Sequence, residues 1–361
     1  MSTVNQLPTK LPTTAIKAVG RYFSKEALDL CTESELIDLH IDTLIPTRLF
    51  GYKPLKRNKP WIFGRHFFGH LDLPRMNDSA VSGAMWSITT NPFRTAKSRW
   101  QIFQKNVQNM HSLFQKTNGE IQFARSVEEY RNIRKQGAHA CLLSIQGGNA
   151  LEAASPKDIR NKLVTRITVI HLTHSCYGTS STPTHWFRTN KGLTAKGKEF
   201  VTQLNEERIF VDLAHIHPQG FWDALAVHDP HLPPIDTHTG VCGVRKHWRN
   251  LSDDQIRAIA NRGGVVGIIF AANFLKRKNG PKNADMVVEH IAHTIDIAGE
   301  DAVALGSDFD GLISPPLELS TGSDYPVLVQ RMMDRGWSST RIKKILGENF
   351  LRCWAQLRPT L

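Results

Sequence analysis

The sequence Ile37-Asp38-Leu39-His40-Ile41-Asp42 is an apolar run that ends in two residues able to bind a metal, His40 and Asp42. Because alternate side chains of a β-strand lie on one face, these two side chains point the same way. Four later runs also end in histidine or aspartate, and they are VIHLTH (169–174), FVDLAH (210–215), PIDTH (234–238) and ALGSD (304–308). Since the segments between them have helical patterns, the runs predict parallel strands with ligands at their carboxyl ends. A barrel of eight parallel strands builds its active site at that end.

The length and the apolar runs predict one barrel domain. Strands are predicted at residues 35–42, 80–88, 138–145, 163–174, 208–215, 234–238, 265–270 and 303–308, and helices at 24–31, 99–115, 253–261 and 284–298, with a further helix that begins at Thr194. We therefore predict an α/β fold, a (β/α)8 TIM barrel over residues 35–361, after an N-terminal extension over residues 1–34. A chain of 361 residues fits such a barrel, which needs about 250 residues. A long loop at residues 51–68 is predicted to lie over the active-site rim, and a Ser/Thr-rich loop at residues 175–191 is predicted after the fourth strand.

The chemistry of this rim depends on the set of ligands rather than on any one of them. Sixteen histidines are spread along the chain, so a single one, such as His171, predicts a core or surface residue. Five residues, however, lie at strand ends in chain order, and they are His40, Asp42, His215, His238 and Asp308. Imidazoles and carboxylates on one rim predict a site for a divalent cation, which activates water as a nucleophile at neutral pH.

Short motifs of a known family also recur along the chain in a fixed order. They are DLHID (38–42), LDLPRM (71–76), LTH (172–174), GLT (192–194), VDLAH (211–215), RNLSDD (249–254), GSDFDG (306–311) and ILGENFLR (345–352). From about residue 35 to residue 353 the sequence thereby resembles the renal or membrane dipeptidases, a family of zinc peptidases in the amidohydrolase superfamily. The resemblance implies that the TIM barrel is of the metal-dependent hydrolase type. It also implies that the enzyme cleaves a peptide or amide bond in a small substrate with a free carboxylate.

The resemblance implies that the cofactor is zinc, bound as one or two ions. It also implies which residues are the ligands of these ions. His40 and Asp42 match the ligands of one ion, and His215 and His238 match those of the other. The family has a glutamate at the end of its third strand, whose carboxylate bridges the two ions, but this chain has Gln146. A neutral amide oxygen is a poorer ligand, and the amide nitrogen donates hydrogen bonds. We therefore expect Gln146 to be a weak ligand and the second ion to be held loosely.

The resemblance also implies three residues that act on the substrate. His174 matches a histidine that polarises the substrate carbonyl, and Arg249 matches an arginine whose planar guanidinium binds the free carboxylate. Asp308 matches the acid/base that carries a proton to the leaving amine. Two further positions depart from the family pattern, because Asn149 and Ala271 stand where histidine and tyrosine are common.

Two functions stay open on the sequence alone. In the first, the protein is an enzyme, a metallo-dipeptidase-like hydrolase of specialised peptide metabolism with Asp308 as acid/base. In the second, it is a catalytically impaired or repurposed dipeptidase fold that binds or otherwise transforms a peptide-like ligand. The complete set of strand-end ligands favours the first function, and Gln146 favours the second.

Composition bounds the partners and the location. The formal net charge is +12, but the basic residues are scattered in short groups without a nucleic-acid motif. We therefore expect a small peptide-like substrate and no nucleic acid. We expect no membrane partner, because no run approaches the ~20 apolar residues of a membrane span. Five cysteines without a paired spacing, and the lack of a signal-peptide core, predict a cytoplasmic location. The family resemblance implies a homodimer.

Overall fold

The computed structural model describes residues 22–60, 64, 66–183 and 191–359, and within them the strands form one parallel sheet. In chain order the strands are β1 Ile37–Ile41, β2 Gly83–Thr89, β3 Ile121–Phe123, β4 His139–Gln146, β5 Val164–Thr168, β6 Phe210–Asp212, β7 Ile235–Thr239, β8 Val265–Ile268 and β9 Val303–Leu305. Nearly all strand residues are buried, as expected for a parallel sheet that helices cover. Residues 1–21 of the N-terminal extension and residues 61–63, 65 and 184–190 of the rim loops lie outside the described residues.

Eight of these strands close into a barrel. Hydrogen bonds join neighbours in the order β2–β1–β9–β8–β7–β6–β5–β4, and β4 pairs with β2 to complete the ring. In the β2–β4 ladder Gly83 lies opposite Ala140 and Thr89 lies opposite Gln146. The predicted (β/α)8 barrel is therefore confirmed, and Gln146 lies at its carboxyl end.

The strand β3 is absent from the sequence-based prediction. It pairs with the first part of β4, with Ile121 opposite His139 and Phe123 opposite Cys141. It lies outside the ring because β2 and β5 already flank β4 within the barrel. A segment of three residues is too short to show a hydrophobic period, and for this reason the sequence does not reveal it.

Helices connect the strands and begin where the sequence provides caps. They are α1 Lys25–Glu33, α2 Leu44–Phe50, α3 Leu73–Asp78, α4 Ala96–Phe114, α5 Val127–Lys135, α6 Ala195–Glu206, α7 Pro218–Val227, α8 Asp253–Ala260, α9 Ala272–Leu275, α10 Asp285–Ala298, α11 Tyr325–Asp334, α12 Ser339–Lys343 and α13 Asn349–Leu357. The Thr194 hydroxyl caps α6 by accepting a hydrogen bond from the amide of Gly197. Ser252 and Gln255 form a reciprocal capping box at α8. Among the described residues, none of the helices has the length and apolarity to cross a membrane.

The first helix packs against the barrel domain. Ala27, Leu30 and Cys31 of α1 belong to the main hydrophobic core. The amide of Ser24, which caps α1, donates a hydrogen bond to the side chain of Gln330 on α11 (2.8 Å). Part of the proposed N-terminal extension therefore shares the core of the barrel, and the boundary at residue 34 stays a prediction.

One arginine ties together the amino-terminal end of the barrel. Arg358 follows α13, and its guanidinium donates hydrogen bonds to the carbonyls of Arg125, Lys162, Val164 and Arg208, at distances between 2.6 and 2.9 Å. Burial lowers the pKa of Arg358 to about 10. These carbonyls belong to segments that are far apart in sequence, so this one side chain joins the last helix to three parts of the chain.

Two glycines permit close packing of the last strands. A Cβ atom on Gly306 would collide with the carbonyl oxygen of Thr237, and a Cβ atom on Gly267 would collide with the same oxygen. Only glycine therefore allows β8 and the end of β9 to approach β7 this closely.

Candidate metal centre

The carboxyl end of the barrel brings His40, Asp42 and Asp308 together. His40 lies in β1 and Asp42 follows that strand, so the two side chains share a face. Nε2 of His40 lies 3.4 Å from Oδ2 of Asp42 and 3.5 Å from Oδ1 of Asp308. The backbone of Asp308 is left-handed (φ 61°), and its amide donates to the carbonyl of His40 (3.0 Å). All three residues are buried, as the sequence-based site requires.

His215 and His238 face each other in the same region. Their Nε2 atoms lie 2.9 Å apart, and the ring of His238 stacks on the ring of His40 with the centroids 3.8 Å apart. Nδ1 of His238 lies 2.8 Å from the hydroxyl of Thr237, and that hydroxyl donates to Asp212 (2.8 Å). The structure therefore brings the predicted histidine ligands of both ions to one place.

The donor atoms at this place suit a divalent cation. Ligand atoms of His40, His238 and Asp308 lie within 4.8 Å of one another. Burial lowers the pKa of His215 and the pKa of His238, so both rings are neutral at physiological pH and offer lone pairs. A tetrahedral zinc ion about 2.1 Å from two nitrogens holds them roughly 3.4 Å apart. The observed separation of 2.9 Å between the two Nε2 atoms is close to that value.

The environment of Asp308 suits a group that exchanges protons. Burial and the negative charge of Asp42 raise the pKa of Asp308 well above that of an ordinary carboxyl, although Arg249 opposes the shift. A carboxyl whose pKa lies nearer neutrality accepts and returns a proton more readily at working pH. The position and the environment of Asp308 are both compatible with the acid/base role predicted for it.

Gln146 ends β4 with its amide group among the ligands. When the amide nitrogen faces Asp42, it lies 2.9 and 3.1 Å from the two carboxylate oxygens and 2.9 Å from Oγ1 of Thr89. The amide oxygen then lies 3.2 Å from Nε2 of His40 and 3.2 Å from Nε2 of His171. This orientation gives the nitrogen acceptors and the oxygen donors, as an amide requires. Gln146 thus connects Asp42 to two histidines by hydrogen bonds.

Arg166 is a buried cation inside the barrel that the sequence analysis does not single out. Its Nη2 lies 2.5 Å from Nδ1 of His40 and 2.8 Å from Oγ of Ser87. Its Nη1 forms an ion pair with Asp212 (3.0 Å). The sequence does contain one indication of its role, because an arginine within a predicted barrel strand is a buried charge and needs a partner of opposite charge. The carboxylates at the strand ends are such partners.

Two histidines that follow β5 also belong to this region. His171 lies beside Gln146, and its ring centroid is 4.6 Å from that of His215, so it contributes to the site rather than to the core alone. Burial lowers the pKa of His171 to about 3. Nδ1 of His174 accepts a hydrogen bond from the amide of Ser180 (3.3 Å). His174 is already assigned to the site from the motif LTH, and His171 could have been found in the same way, since it directly precedes that motif.

Arg249 is buried in the segment between β7 and α8 and contacts the end of β7. Its Nη2 donates to the carbonyl of His238 (2.6 Å), which fixes the guanidinium next to a predicted ligand. The buried carboxyl of Asp236 is near enough for the two charges to interact, and burial raises the pKa of Asp236 to about 7. Asp236 is missing from the sequence-based site, although its place two residues before His238 puts it on the same face of β7.

Comparisons with known proteins agree with this architecture. The profile of the family described as "Membrane dipeptidase (Peptidase family M19)" matches residues 24–360. The "Dipeptidase verJ" of Clonostachys rogersoniana is 28% identical over 343 residues, which cover 91% of this chain and 85% of that protein. An uncharacterized protein in the pqqA 5' region of Klebsiella pneumoniae is 38% identical over 168 residues, which cover 45% of this chain and only 60% of that protein.

A solved structure shows the same fold. The metallopeptidase from Rhodobacter sphaeroides, crystallised with a phosphinate mimic of the dipeptide L-Ala-D-Ala, matches with a TM-score of 0.77 at 23% sequence identity. The match covers 90% of this chain and 99% of that chain. The two proteins therefore share the overall fold over nearly their whole lengths.

Proposed function

The chain belongs to the membrane dipeptidase family of metal-dependent hydrolases, and from this premise we propose that it cleaves the peptide or amide bond of a dipeptide-sized substrate with a free carboxylate. The observation that carries the proposal is the pair of facing histidines, His215 and His238, beside the buried carboxyl of Asp308. A cation site next to a proton-exchanging group is what metal-assisted hydrolysis needs. The Rhodobacter sphaeroides protein with its bound dipeptide mimic supports a substrate of that size.

Zinc is the cation that we propose. His215 and His238 would hold it, and His40 and Asp42, which the family pattern assigns to a separate ion, face the same space. Imidazole nitrogens and carboxylate oxygens are donors that zinc accepts. When bound, the cation supplies an activated water and polarises the scissile carbonyl.

The chain's own residues would handle the substrate and the proton. Nη2 of Arg249 is held by the carbonyl of His238, while its Nε has no hydrogen-bond partner in the described part of the chain. A fixed guanidinium with an unused donor suits the substrate carboxylate. Asp308 would accept a proton from the attacking water and pass it to the leaving amine.

His174 would stabilise negative charge on the substrate carbonyl. Because its Nδ1 accepts the amide proton of Ser180, a neutral His174 ring carries its own proton on Nε2. An Nε2–H group is the donor that a developing oxyanion needs. We propose a substrate from specialised peptide metabolism, because Asn149 and Ala271 stand where the family often has histidine and tyrosine. A homodimer and a cytoplasmic location stay predictions.

A panel of unmodified dipeptides and the same dipeptides with amidated carboxyl ends tests the proposal. We expect the purified protein to hydrolyse at least one unmodified dipeptide, to lose this activity after chelation and to regain it with zinc. The amidated forms should react poorly because they lack the carboxylate that Arg249 binds. Calorimetric binding of a dipeptide without any hydrolysis, with zinc present, would instead support the repurposed binding protein.

A further inference from the structure

The hydrogen-bond partners of His238 determine which of its nitrogens carries the proton. The Thr237 hydroxyl donates its one proton to Asp212 (2.8 Å), so its oxygen accepts from the Nδ1–H of His238 (2.8 Å). The lone pair of His238 is therefore on Nε2, which faces Nε2 of His215. A histidine whose Nδ1–H is held by a neighbour is the form that binds a cation through Nε2.

The hydrogen-bond partners of His40 place its proton on the other ring nitrogen, Nε2. An arginine only donates hydrogen bonds, and Nη2 of Arg166 lies 2.5 Å from Nδ1 of His40. Nδ1 of His40 therefore carries the lone pair, and the neutral ring carries its proton on Nε2. A cation on this Nε2 would require the ring to lose that proton and become an anion. The groups near this Nε2 are acceptors, namely the amide oxygen of Gln146 (3.2 Å) and Oδ1 of Asp308 (3.5 Å).

The carboxylate of Asp42 is also satisfied by protein donors. The amide nitrogen of Gln146 reaches both of its oxygens, at 2.9 and 3.1 Å. The charges of the neighbouring residues also disfavour a cation at His40 and Asp42. Gln146 supplies no negative charge between two cations, and Arg166 places a fixed positive charge next to His40. Two like charges inside a protein repel much more strongly than in water.

We infer that the position formed by His40 and Asp42 holds no cation in this protein and is closed by a hydrogen-bond network centred on Gln146 and Arg166. The protein then binds a single cation at His215 and His238, beside Asp308. Arg166 acts as a positioning residue that fixes the proton on His40, and His40 becomes a hydrogen-bond donor to Gln146 and Asp308 instead of a ligand. The inference rests on the proposed metal-dependent function, because it concerns the same site.

The number of bound ions and the effect of removing each residue test the inference. Metal-free protein titrated with zinc in a calorimeter should bind one equivalent. Asp42→Asn should still bind one equivalent with an affinity changed by less than about threefold, whereas His215→Asn should weaken binding by at least about 100-fold. Circular dichroism verifies that both variants are folded. Two tight equivalents in the native protein, or loss of the ion in Asp42→Asn, would overturn the inference.

Nitrogen NMR of the imidazole rings tests the proton positions without any measurement of activity. In metal-free protein labelled with ¹⁵N in its histidines, His40 should show a protonated Nε2 and an unprotonated Nδ1, and His40→Asn identifies its signals. One equivalent of zinc should shift the signals of His215 and His238 and leave the nitrogen pattern of His40 unchanged. If zinc converts Nε2 of His40 to a metal-bound nitrogen, His40 is a ligand and the inference is wrong.

Reopening the first position provides a positive test. Gln146→Glu restores a carboxylate, and adding Arg166→Gln replaces a group that can only donate by an amide whose oxygen can accept from an Nδ1–H of His40. The folded double variant should therefore bind a second equivalent of zinc. The exposed Gln101→Glu in α4 makes the same charge change as Gln146→Glu alone and should still bind one equivalent. A folded double variant that binds only one ion contradicts the inference. Native protein with one ion and no activity on any dipeptide contradicts only the proposed function.

Discussion

The amide of Gln146 changes what the rim of the barrel can bind. Glutamine and glutamate have nearly the same shape, but the amide is neutral and its nitrogen donates hydrogen bonds. In this protein the nitrogen faces Asp42, and the oxygen faces His40 and His171. The substitution therefore alters the charge and the hydrogen bonds of the site while the backbone of β4 keeps its register with β2.

Gln146→Glu, made together with Arg166→Gln so that the first position is reopened, is expected to increase the hydrolysis of simple L-dipeptides by about tenfold or more, because a second cation lowers the pKa of the attacking water further. Adding Asp308→Asn should reduce the rate by about 10²–10⁴-fold, since it removes the group that carries the proton. Steady-state kinetics in zinc-containing buffer measure both effects, with Gln101→Glu as the matched control. If this double variant holds two ions and hydrolyses nothing, the substrate pocket itself has diverged.

Arg249→Lys should raise KM by about tenfold or more with a smaller effect on kcat. Lysine keeps the charge but cannot present two parallel N–H groups to a carboxylate. Arg257→Lys, at an exposed position on α8, is the control and should leave both constants unchanged. Unchanged kinetics for Arg249→Lys, together with an unchanged melting temperature, would show that Arg249 only fixes the backbone at His238.

At the scale of elements, the strand ends determine which parts of the site the sequence can predict. His40, His215, His238 and Asp308 are predictable because each ends an apolar run, and parallel strands bring such ends to one rim. Arg166 is not predictable in the same way, because its contact with His40 depends on side-chain directions across the barrel. The strand β3 is missed since three residues carry no period.

Packing between the last strands leads to a stability prediction. Gly306→Ala should lower the free energy of unfolding by about 1–3 kcal/mol or more, because the new methyl group meets the rigid carbonyl of Thr237. Gly280→Ala is the control and should lose less stability, since its methyl group would meet the exposed side chain of Arg277 and not a strand carbonyl. Urea unfolding followed by tryptophan fluorescence measures both. Equal stability of the two variants would mean that β7 and β9 can separate without cost.

At the scale of the whole molecule, buried histidines connect stability to pH. Nε2 of His139 accepts from the indole of Trp86 (3.0 Å), and its Nδ1 lies 2.9 Å from the carbonyl of Val81. Burial lowers the pKa of His139 to about 4, and burial likewise lowers the pKa of His290 to about 4. In the unfolded chain both rings titrate near pH ~6.5. Between pH ~6.5 and about 4 the unfolded state therefore binds more protons at these two histidines than the folded state does.

Stability should fall as the pH decreases from about 6.5 to about 4, with each histidine contributing up to about 3 kcal/mol. His139→Gln keeps a polar side chain but cannot titrate, so the loss of stability over this range should be smaller than in the native protein. The exposed His111→Gln is the control and should keep the native slope. Urea unfolding at several pH values gives the slopes. A native-like slope in His139→Gln would show that His139 is protonated in the folded state as readily as in the unfolded chain.

The order of the strands has a consequence for synthesis on the ribosome. β1 pairs with β9, and roughly 260 residues separate them along the chain. Because the ribosome adds about 5–20 residues per second, the edge of β1 stays unpaired for at least ~13 seconds before β9 is synthesised. Arg358, which ties the opposite end of the barrel, emerges later still. The nascent chain therefore exposes an open strand edge for most of its translation, and this edge is where a chaperone would act before release.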